Sequence, residues 1–141
     1  MATLYENYNT GDDGTLSFDS PNWDAQTFTT QLGHTISSVR LKLNRFGLPG
    51  VLTIRIRATA AGLPTGGDLT SGTTDGDTLT TAAGGEWREI TLTPYTLNAA
   101  TMYAVIVSNT IASNYIGWRC AYTTGTYTGG TSAGSTDSGA T

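Results

Sequence analysis

The side chains that most often carry catalysis are scarce and isolated in this sequence. His34 is the one histidine, and it lies in a turn-like stretch with no nucleophile-elbow sequence beside it. Glycoside hydrolysis needs two carboxylates about 5–9 Å apart, but Glu86 and Glu89 are three residues apart on a predicted strand, a spacing that sends them to opposite faces. We therefore predict no catalytic residues, a solvated turn position for His34, and a protein that is not an enzyme.

Two acidic turns are candidates for calcium binding. Asp12 and Asp13 come directly before a glycine, and Asp75 and Asp77 flank another. Carboxylate oxygens are the ligands that Ca²⁺ prefers, so these four aspartates are the candidate metal ligands. Neither turn has the spacing of an EF-hand loop, and Asp-Gly is also common in tight turns. The alternative is that the carboxylates form Asx turns with their own backbone, in which case the protein has no cofactor.

Aromatic side chains are candidates for a sugar-binding surface, because an aromatic face stacks well against the apolar face of a ligand. Alternation predicts that Trp87 faces away from Ile90 and Leu92, and that Tyr115 faces away from Trp118. The alternative is that these residues cap the core with their polar tips in water. The candidate sugar-binding residues are Trp87, Tyr115, Tyr95 and Tyr127, with Trp23 as a further aromatic residue near a turn.

Four of the seven cationic residues fall on two consecutive predicted strands. Arg40 and Lys42 lie on the polar face of one strand, and Arg55 and Arg57 lie on the polar face of the next. If the two strands pair, the four cations share one surface. That surface predicts self-association with an acidic patch on another copy of the chain. The alternative is that the charges protect a sheet edge against aggregation.

The elements that position these residues are β-strands, because apolar residues recur at every second position and almost nowhere at helical spacing. Residues 38–44 and 51–59 alternate most clearly, and residues 46–50 between them hold one Pro and two Gly, which favour a tight reversal. These two strands are predicted to form a β-hairpin. Further strands are predicted at residues 23–30, 86–93, 102–108 and 115–123, with turns at 9–14, 62–67, 73–77 and 82–85.

Composition favours a chain made of sheet alone. Thr accounts for 28 and Gly for 18 of the 141 residues, and the branched Thr side chain fits a strand better than a helix. Seven or so short strands separated by turns predict an antiparallel two-sheet β-sandwich, similar to a jelly roll, with no substantial helix. We expect one domain over residues 1–128, followed over residues 129–141 by a Gly/Ser/Thr-rich tail or an unfinished last loop.

Charge and hydropathy exclude several partners. The net charge is −4 and Lys and Arg together number 7, so no basic surface is available for a phosphate backbone. No stretch approaches the ~20 apolar residues that span a bilayer, and no secretory signal is visible at the N-terminus. Cys120 is the one cysteine, which excludes an internal disulfide framework. We expect no nucleic-acid partner and no membrane insertion.

Six segments in a fixed order carry a resemblance to known modules: residues 26–30, 36–43, 49–59, 62–66, 87–92 and 97–107. They resemble the small jelly-roll modules of the choice-of-anchor type found in phage virion proteins and bacterial surface proteins, and are distantly similar to carbohydrate-binding modules. The resemblance implies a β-sandwich without catalysis. Members of the family continue past the stretch at 135–141 with an aromatic residue and a final strand, which here implies an incomplete chain or a sheet edge filled by a neighbouring subunit.

The sequence thus predicts a non-catalytic structural or adhesive module on the exterior of a virion or of an extracellular assembly. Its expected partners are copies of itself, together with surface glycans or other virion and surface proteins. An unpaired sheet edge is a template for another chain, which favours self-association. The alternative is a carbohydrate-binding module with a structural calcium ion.

Overall fold

The computed structural model describes residues 14–120 and 132–136, which form two antiparallel β-sheets packed face to face. The one helical element among these residues is the 3-10 turn Gly76–Thr78. The predicted all-β sandwich is therefore confirmed. The nine strands are β1 (Gly14–Phe18), β2 (Trp23–Thr29), β3 (His34–Phe46), β4 (Val51–Ala60), β5 (Leu63–Asp75), β6 (Glu86–Leu97), β7 (Met102–Asn109), β8 (Tyr115–Cys120) and β9 (Ser132–Ser135).

The strand pairing is that of a jelly roll. The four-stranded sheet has the order β1-β8-β3-β6, and the five-stranded sheet has the order β5-β4-β7-β2-β9. The pairs β1–β8, β2–β7, β3–β6 and β4–β5 are successive parts of one long antiparallel ribbon whose closed end is β4–β5. Rolling this ribbon brings β8 beside β3 and β7 beside β4, which completes the two sheets.

Alternation along the strands fills the space between the sheets. Leu52, Ile54 and Ile56 of β4 point inward and meet Ile90 and Leu92 of β6 in one buried cluster. Each such side chain contributes roughly 1.5–3 kcal/mol when it leaves water, so this layer holds the two sheets together. The cluster also contains Phe18, Leu41, Leu43, Leu79, Leu97, Tyr103, Val105, Val107 and Ile116.

The connection between β3 and β4 corrects the predicted β-hairpin. β3 pairs with β6 and β8, whereas β4 pairs with β5 and β7, so residues 47–50 carry the chain from one sheet to the other. We call residues 47–50 the crossing loop. Gly47 and Gly50 have φ values of 76° and 77°, which glycine adopts without strain, so the reversal itself is present. A Pro/Gly turn fixes a local change of direction, but distant residues decide which strand the next one pairs with.

The local hairpin is instead β4–β5, and its two-residue turn has positive φ at both Ala61 and Gly62. The sequence predicts turns at residues 62–67 and 73–77, but β5 contains residues 63–67 and 73–75 of these segments, and only Gly62 and residues 76–77 lie in turns. The sequence of β5 is rich in Gly and Thr and lacks apolar alternation. Pairing with β4 therefore sets its extended conformation, and that pairing is invisible in the local sequence.

Part of the predicted C-terminal tail is a strand. β9 pairs antiparallel with β2 and lies at the edge of the five-stranded sheet, so the position beside β2 is occupied from within the chain. The small side chains of β9 bury little apolar area. An edge strand is held by its backbone hydrogen bonds, however, and composition does not reveal these.

The two sheets approach closely along the side where β5 faces β6. A Cβ atom placed on Gly72 of β5 would lie 2.0 Å from the carbonyl oxygen of Thr91 of β6, so only glycine fits this position. Nearby, the Thr70 hydroxyl donates to the carbonyl oxygen of Thr93. The two edge strands therefore pack directly against each other at this point.

We expect Gly72→Ala to destabilise the protein and Gly67→Ala in the same strand to leave it nearly unchanged. The methyl group at position 72 meets the backbone of β6, and overpacking of this kind costs roughly 1–3 kcal/mol or more. No atom lies within 4 Å of a Cβ placed on Gly67. Urea unfolding measures both free energies of unfolding, and equal values for the two variants would contradict the close approach of β5 to β6.

Candidate functional site

The aromatic residues predicted to bind sugar do not form one platform. Trp87 and Tyr115 lie on the outer face of the four-stranded sheet and are 43% and 41% exposed, but β3 separates their strands. The positions opposite them on β3 are four residues apart, or roughly 13 Å at the usual rise of a strand. Tyr95 packs against the core, and Tyr127 lies outside the described residues. The expected platform is therefore not assembled from these residues.

Asp75 and Asp77 use their carboxylates to hold backbone N–H groups. Asp75 Oδ1 accepts a 3.0 Å hydrogen bond from the Asp77 N–H and caps the 3-10 turn, which is the Asx-turn alternative. Asp77 Oδ1 accepts a 2.8 Å hydrogen bond from the Gly50 N–H of the crossing loop. The other candidate metal ligands, Asp12 and Asp13, lie outside the described residues. Over residues 14–120 and 132–136, no group of three His, Cys, Asp or Glu side chains is arranged to hold a metal ion.

The side chains considered for catalysis lie apart from one another. His34 is the first residue of β3, and its Nδ1 is 3.0 Å from a backbone carbonyl oxygen two residues earlier. Glu86 accepts a 2.7 Å hydrogen bond from the Thr80 N–H, whereas Glu89 accepts a 2.9 Å hydrogen bond from the Ser38 hydroxyl on the outer face. The two glutamates therefore lie on opposite faces of β6, as their spacing predicted.

The four cations predicted to share one surface lie on the two opposite outer faces of the sandwich. Arg40 and Lys42 lie on β3 in the four-stranded sheet, and Arg55 and Arg57 lie on β4 in the five-stranded sheet. The prediction depended on a hairpin of β3 with β4, which the crossing loop replaces. The structure therefore does not bring the two pairs together.

Arg55 and Arg57 belong instead to a compact group on the outer face of the five-stranded sheet. Asp68 lies between them, with its Oδ1 2.7 Å from Arg57 Nε and its Oδ2 3.4 Å from Arg55 Nε. Arg55 Nη1 also donates a 2.7 Å hydrogen bond to the Ser108 hydroxyl. The Trp23 indole lies against both guanidinium groups, whose Cζ atoms are 4.3 Å (Arg55) and 5.4 Å (Arg57) from the ring centroid. We call Trp23, Arg55, Arg57 and Asp68 the arginine cluster.

The strand order explains how the arginine cluster assembles. Trp23 is on β2 and the arginines are on β4, with β7 between them. On this face β7 presents the buried side chains of Ala104 and Ile106, and the long arginine side chains extend across them to the indole. Asp68 arrives from β5, where the β4–β5 register shifts. Sequence analysis singled out Trp23 and the arginines separately and missed Asp68, since its position depends on the β4–β5 pairing.

Burial shifts the pKa of two groups at this sheet. Loss of hydration lowers the pKa of Arg55; the Asp68 carboxylate acts in the opposite direction, and the neighbouring Arg57 adds to the lowering. Burial also raises the pKa of Asp24 above its usual range, because an apolar environment disfavours the charged carboxylate. Asp24 follows Trp23 in β2 and so faces the other side of the strand.

A second feature is a set of exposed apolar side chains at one end of the sandwich. Phe46, Leu48 and Val51 lie in or beside the crossing loop, and Ile111 and Tyr115 lie in or beside the loop from β7 to β8. Leu48 is 60% exposed, and the other four are between 41% and 50% exposed. We call these five residues the apolar patch. Of the five, sequence analysis named only Tyr115 as a surface candidate.

Polar contacts beneath the apolar patch hold its two loops together. Asn109 lies at the end of β7, and its two Nδ2–H donors are shared among three backbone carbonyl oxygens, those of Pro49, Ile111 and Asn114, which lie 3.0, 3.0 and 3.1 Å from Nδ2. Arg45 donates from Nη1 to the carbonyl oxygen of Gly47 at 2.6 Å and from Nε to that of Leu79 at 2.7 Å. These carbonyl groups accept their hydrogen bonds on the inner side of the loops, so the apolar side chains of the loops are left on the outside.

Comparison with known proteins found no match for this chain among protein-family models, curated proteins or solved structures. In the part of the chain that the structure describes, no helix is long and apolar enough to cross a membrane. Function is therefore inferred from the two surfaces described above.

We expect Asp68→Asn to destabilise the protein modestly, because Arg55 and Arg57 then repel each other without a shared carboxylate. The groups are partly exposed, so the loss should be no more than about 1 kcal/mol, and about 0.5 M NaCl should reduce it by screening the repulsion. A double-mutant cycle with Arg57→Gln measures the coupling by urea unfolding. Additivity of the two single changes within about 0.3 kcal/mol would contradict the ion pair.

We expect Asp24→Asn to gain stability relative to the parent as the pH rises from acid to neutral. The folded protein holds the Asp24 proton more tightly than the unfolded chain, so protonated Asp24 stabilises the folded state of the parent. This stabilisation is fully present below the unfolded pKa of about 3.9 and is lost as the pH rises through the higher folded pKa. Asparagine stays neutral throughout. Urea unfolding of both proteins between about pH 3 and neutral pH checks this; a difference in stability that does not change with pH would show that Asp24 does not titrate as described.

Proposed function

We propose that this protein is a non-catalytic structural or adhesive module on the exterior of a virion or of an extracellular assembly, and that it acts through self-association and surface contact. The observation that supports this best is the apolar patch. Contiguous exposed apolar surface marks sites of protein contact, and the five exposed side chains lie in or beside two loops that Asn109 joins. The resemblance of the six sequence segments to phage and bacterial surface modules supports the proposed location.

The apolar patch suits a second copy of this chain. None of its five residues is charged, and the nearby Arg45 is engaged by two backbone carbonyl oxygens, so the patch does not select a charged partner. Phe46 and Tyr115 lie opposite each other on β3 and β8 and supply an aromatic pair, the kind of side chain that anchors interfaces. Two copies related by a two-fold axis would bury both patches against each other.

The apolar patch is also pre-organised for contact. Asn109 ties the crossing loop to the loop from β7 to β8, and Asp77 holds the Gly50 N–H from the other side. Loops that are already ordered lose less conformational entropy on association. More of the free energy gained by burying their apolar side chains is therefore available for binding. This function requires no cofactor and no catalytic group.

Leu48→Ser tests the proposal, with Leu63→Ser as the matched control. Leu48 is 60% exposed within the apolar patch, whereas Leu63 is 57% exposed at the start of β5, outside the patch. Sedimentation velocity over a concentration series should show self-association of the parent. We expect Leu48→Ser to raise the dissociation constant by about tenfold or more, as for an interface anchor, and Leu63→Ser to leave it unchanged.

Two results would contradict the proposal. One is a parent chain that stays monomeric up to about 1 mM, where a contact of only about −4 kcal/mol becomes visible. The other is equal weakening by both variants, since that would indicate general apolar adhesion without a defined patch. Thermal unfolding of each variant establishes that the compared proteins are folded.

A further inference from the structure

The outer face of the five-stranded sheet carries a groove that the proposed self-association does not use. Its volume is about 250 Å³, below the roughly 300–1,000 Å³ typical of sites for drug-sized ligands, so it suits one small molecule or one residue of a polymer. The tip of the β4–β5 hairpin and strand β9 lie on its two sides. Its lining includes Trp23, Ala25, Arg57, Leu63, Ile106 and Ala133.

The groove has one anchoring charge. Arg57 donates from Nε to Asp68, and over residues 14–120 and 132–136 no hydrogen bond engages the terminal nitrogens of its guanidinium, which are the donors that a ligand would meet. Arg55 and Arg57 against Asp68 leave a net positive charge on this face, in a chain whose net charge is −4. Asp24 also borders the groove, but its side chain faces the other side of β2.

The position of the Arg57 guanidinium is fixed before a ligand arrives. Asp68 orients the group through Nε, and the Trp23 indole packs against it, while the side chain remains about 20% exposed. A guanidinium held in this way presents two parallel N–H donors, the geometry that a carboxylate accepts in a bidentate pair. Little side-chain entropy remains to be lost on binding.

The floor of the groove is apolar. Ala25 and Ile106 are buried in its floor together with Ala104, and Trp23 packs against them, while Leu63 is exposed at its rim. A ligand that carries one carboxylate and offers an apolar face of about the area of one ring therefore suits the groove. A sugar acid meets both conditions, because a pyranose has an apolar C–H face and its carboxylate projects from the edge.

We infer that this groove binds the acidic sugar residues of a glycan, with the carboxylate on Arg57 and the C–H face of the ring on the floor of Ala25 and Ile106. Neutral sugars lack the group that Arg57 pairs with, and the groove does not favour them. The site differs from the platform of Trp87, Tyr115 and Tyr95 in both position and chemistry. It is also independent of the apolar patch, which lies in the loops at one end of the sandwich.

The experiment follows the indole N–H signals of Trp23, Trp87 and Trp118 by ¹⁵N NMR during titration with methyl β-D-glucuronide. We expect the Trp23 signal to shift with saturation while Trp87 and Trp118 stay in place. Methyl β-D-glucoside, which lacks the carboxylate, should shift none of them. N-acetylalanine, a model of a peptide C-terminus, should bind about tenfold more weakly because it lacks the ring face.

Arg57→Gln should weaken glucuronide binding by about tenfold or more through loss of the bidentate pair, and Arg40→Gln, which removes the same charge from the opposite sheet, should leave it unchanged. The double variant Arg57→Gln with Asp68→Asn removes both ion-pair partners together and should lose binding while staying folded by thermal unfolding. Four outcomes overturn the inference. The first is no shift of the Trp23 signal at about 10 mM glucuronide, a concentration at which even binding weaker than about −4 kcal/mol would register. The others are equal binding of the glucoside, equal binding of N-acetylalanine, and unchanged binding by the Arg57 variants.

Discussion

The reversal of the chain between the two sheets is the constraint on which the sandwich depends, and side chains from other parts of the chain bind backbone groups of the crossing loop. Asn109 from β7, Asp77 after β5 and Arg45 from β3 reach this loop from three strands' ends and pair with its N–H and carbonyl groups. An unpaired buried backbone group costs about as much as a lost hydrogen bond. Because these side chains take the inner side of the loop, Leu48 and its apolar neighbours are left in solvent.

The same constraint gives the molecule two unlike surfaces. At the end of the sandwich that holds the crossing loop, the surface is apolar, uncharged and tied down from below. On the outer face of the five-stranded sheet, the surface is a shallow groove in which the charges of Arg55 and Arg57 are partly balanced by Asp68. Because the two surfaces are separate, the proposed self-association and the inferred ligand binding would not compete for the same residues.

Sequence patterns predicted the faces of the strands well and their partners poorly. Alternation placed Leu52, Ile54 and Ile56 in the core and turned Arg55 and Arg57 outward, because side-chain direction is a local property of a strand. The choice of neighbouring strand is not local. For that reason the predicted hairpin of β3 with β4 is wrong, and the predicted turns at residues 62–67 and 73–77 are wrong where β5 continues through them. The role of Asp68 was missed for the same reason. Strand β9 was not predicted, because backbone pairing holds this strand and composition carries no signal of that pairing.

The nested order of strand pairs in the rolled ribbon also bears on how the chain reaches this structure. Only Ala61 and Gly62 separate β4 from β5, whereas β1 and β8 enclose all the other paired strands of the ribbon. Closing a long loop before its contacts form is entropically unfavourable. Strand pairing is therefore expected to start at β4–β5 and to proceed pair by pair toward β1–β8. A topology so dominated by distant contacts belongs with the slow folders, in the range of about milliseconds to seconds. During that time the outermost strands are the last to be protected.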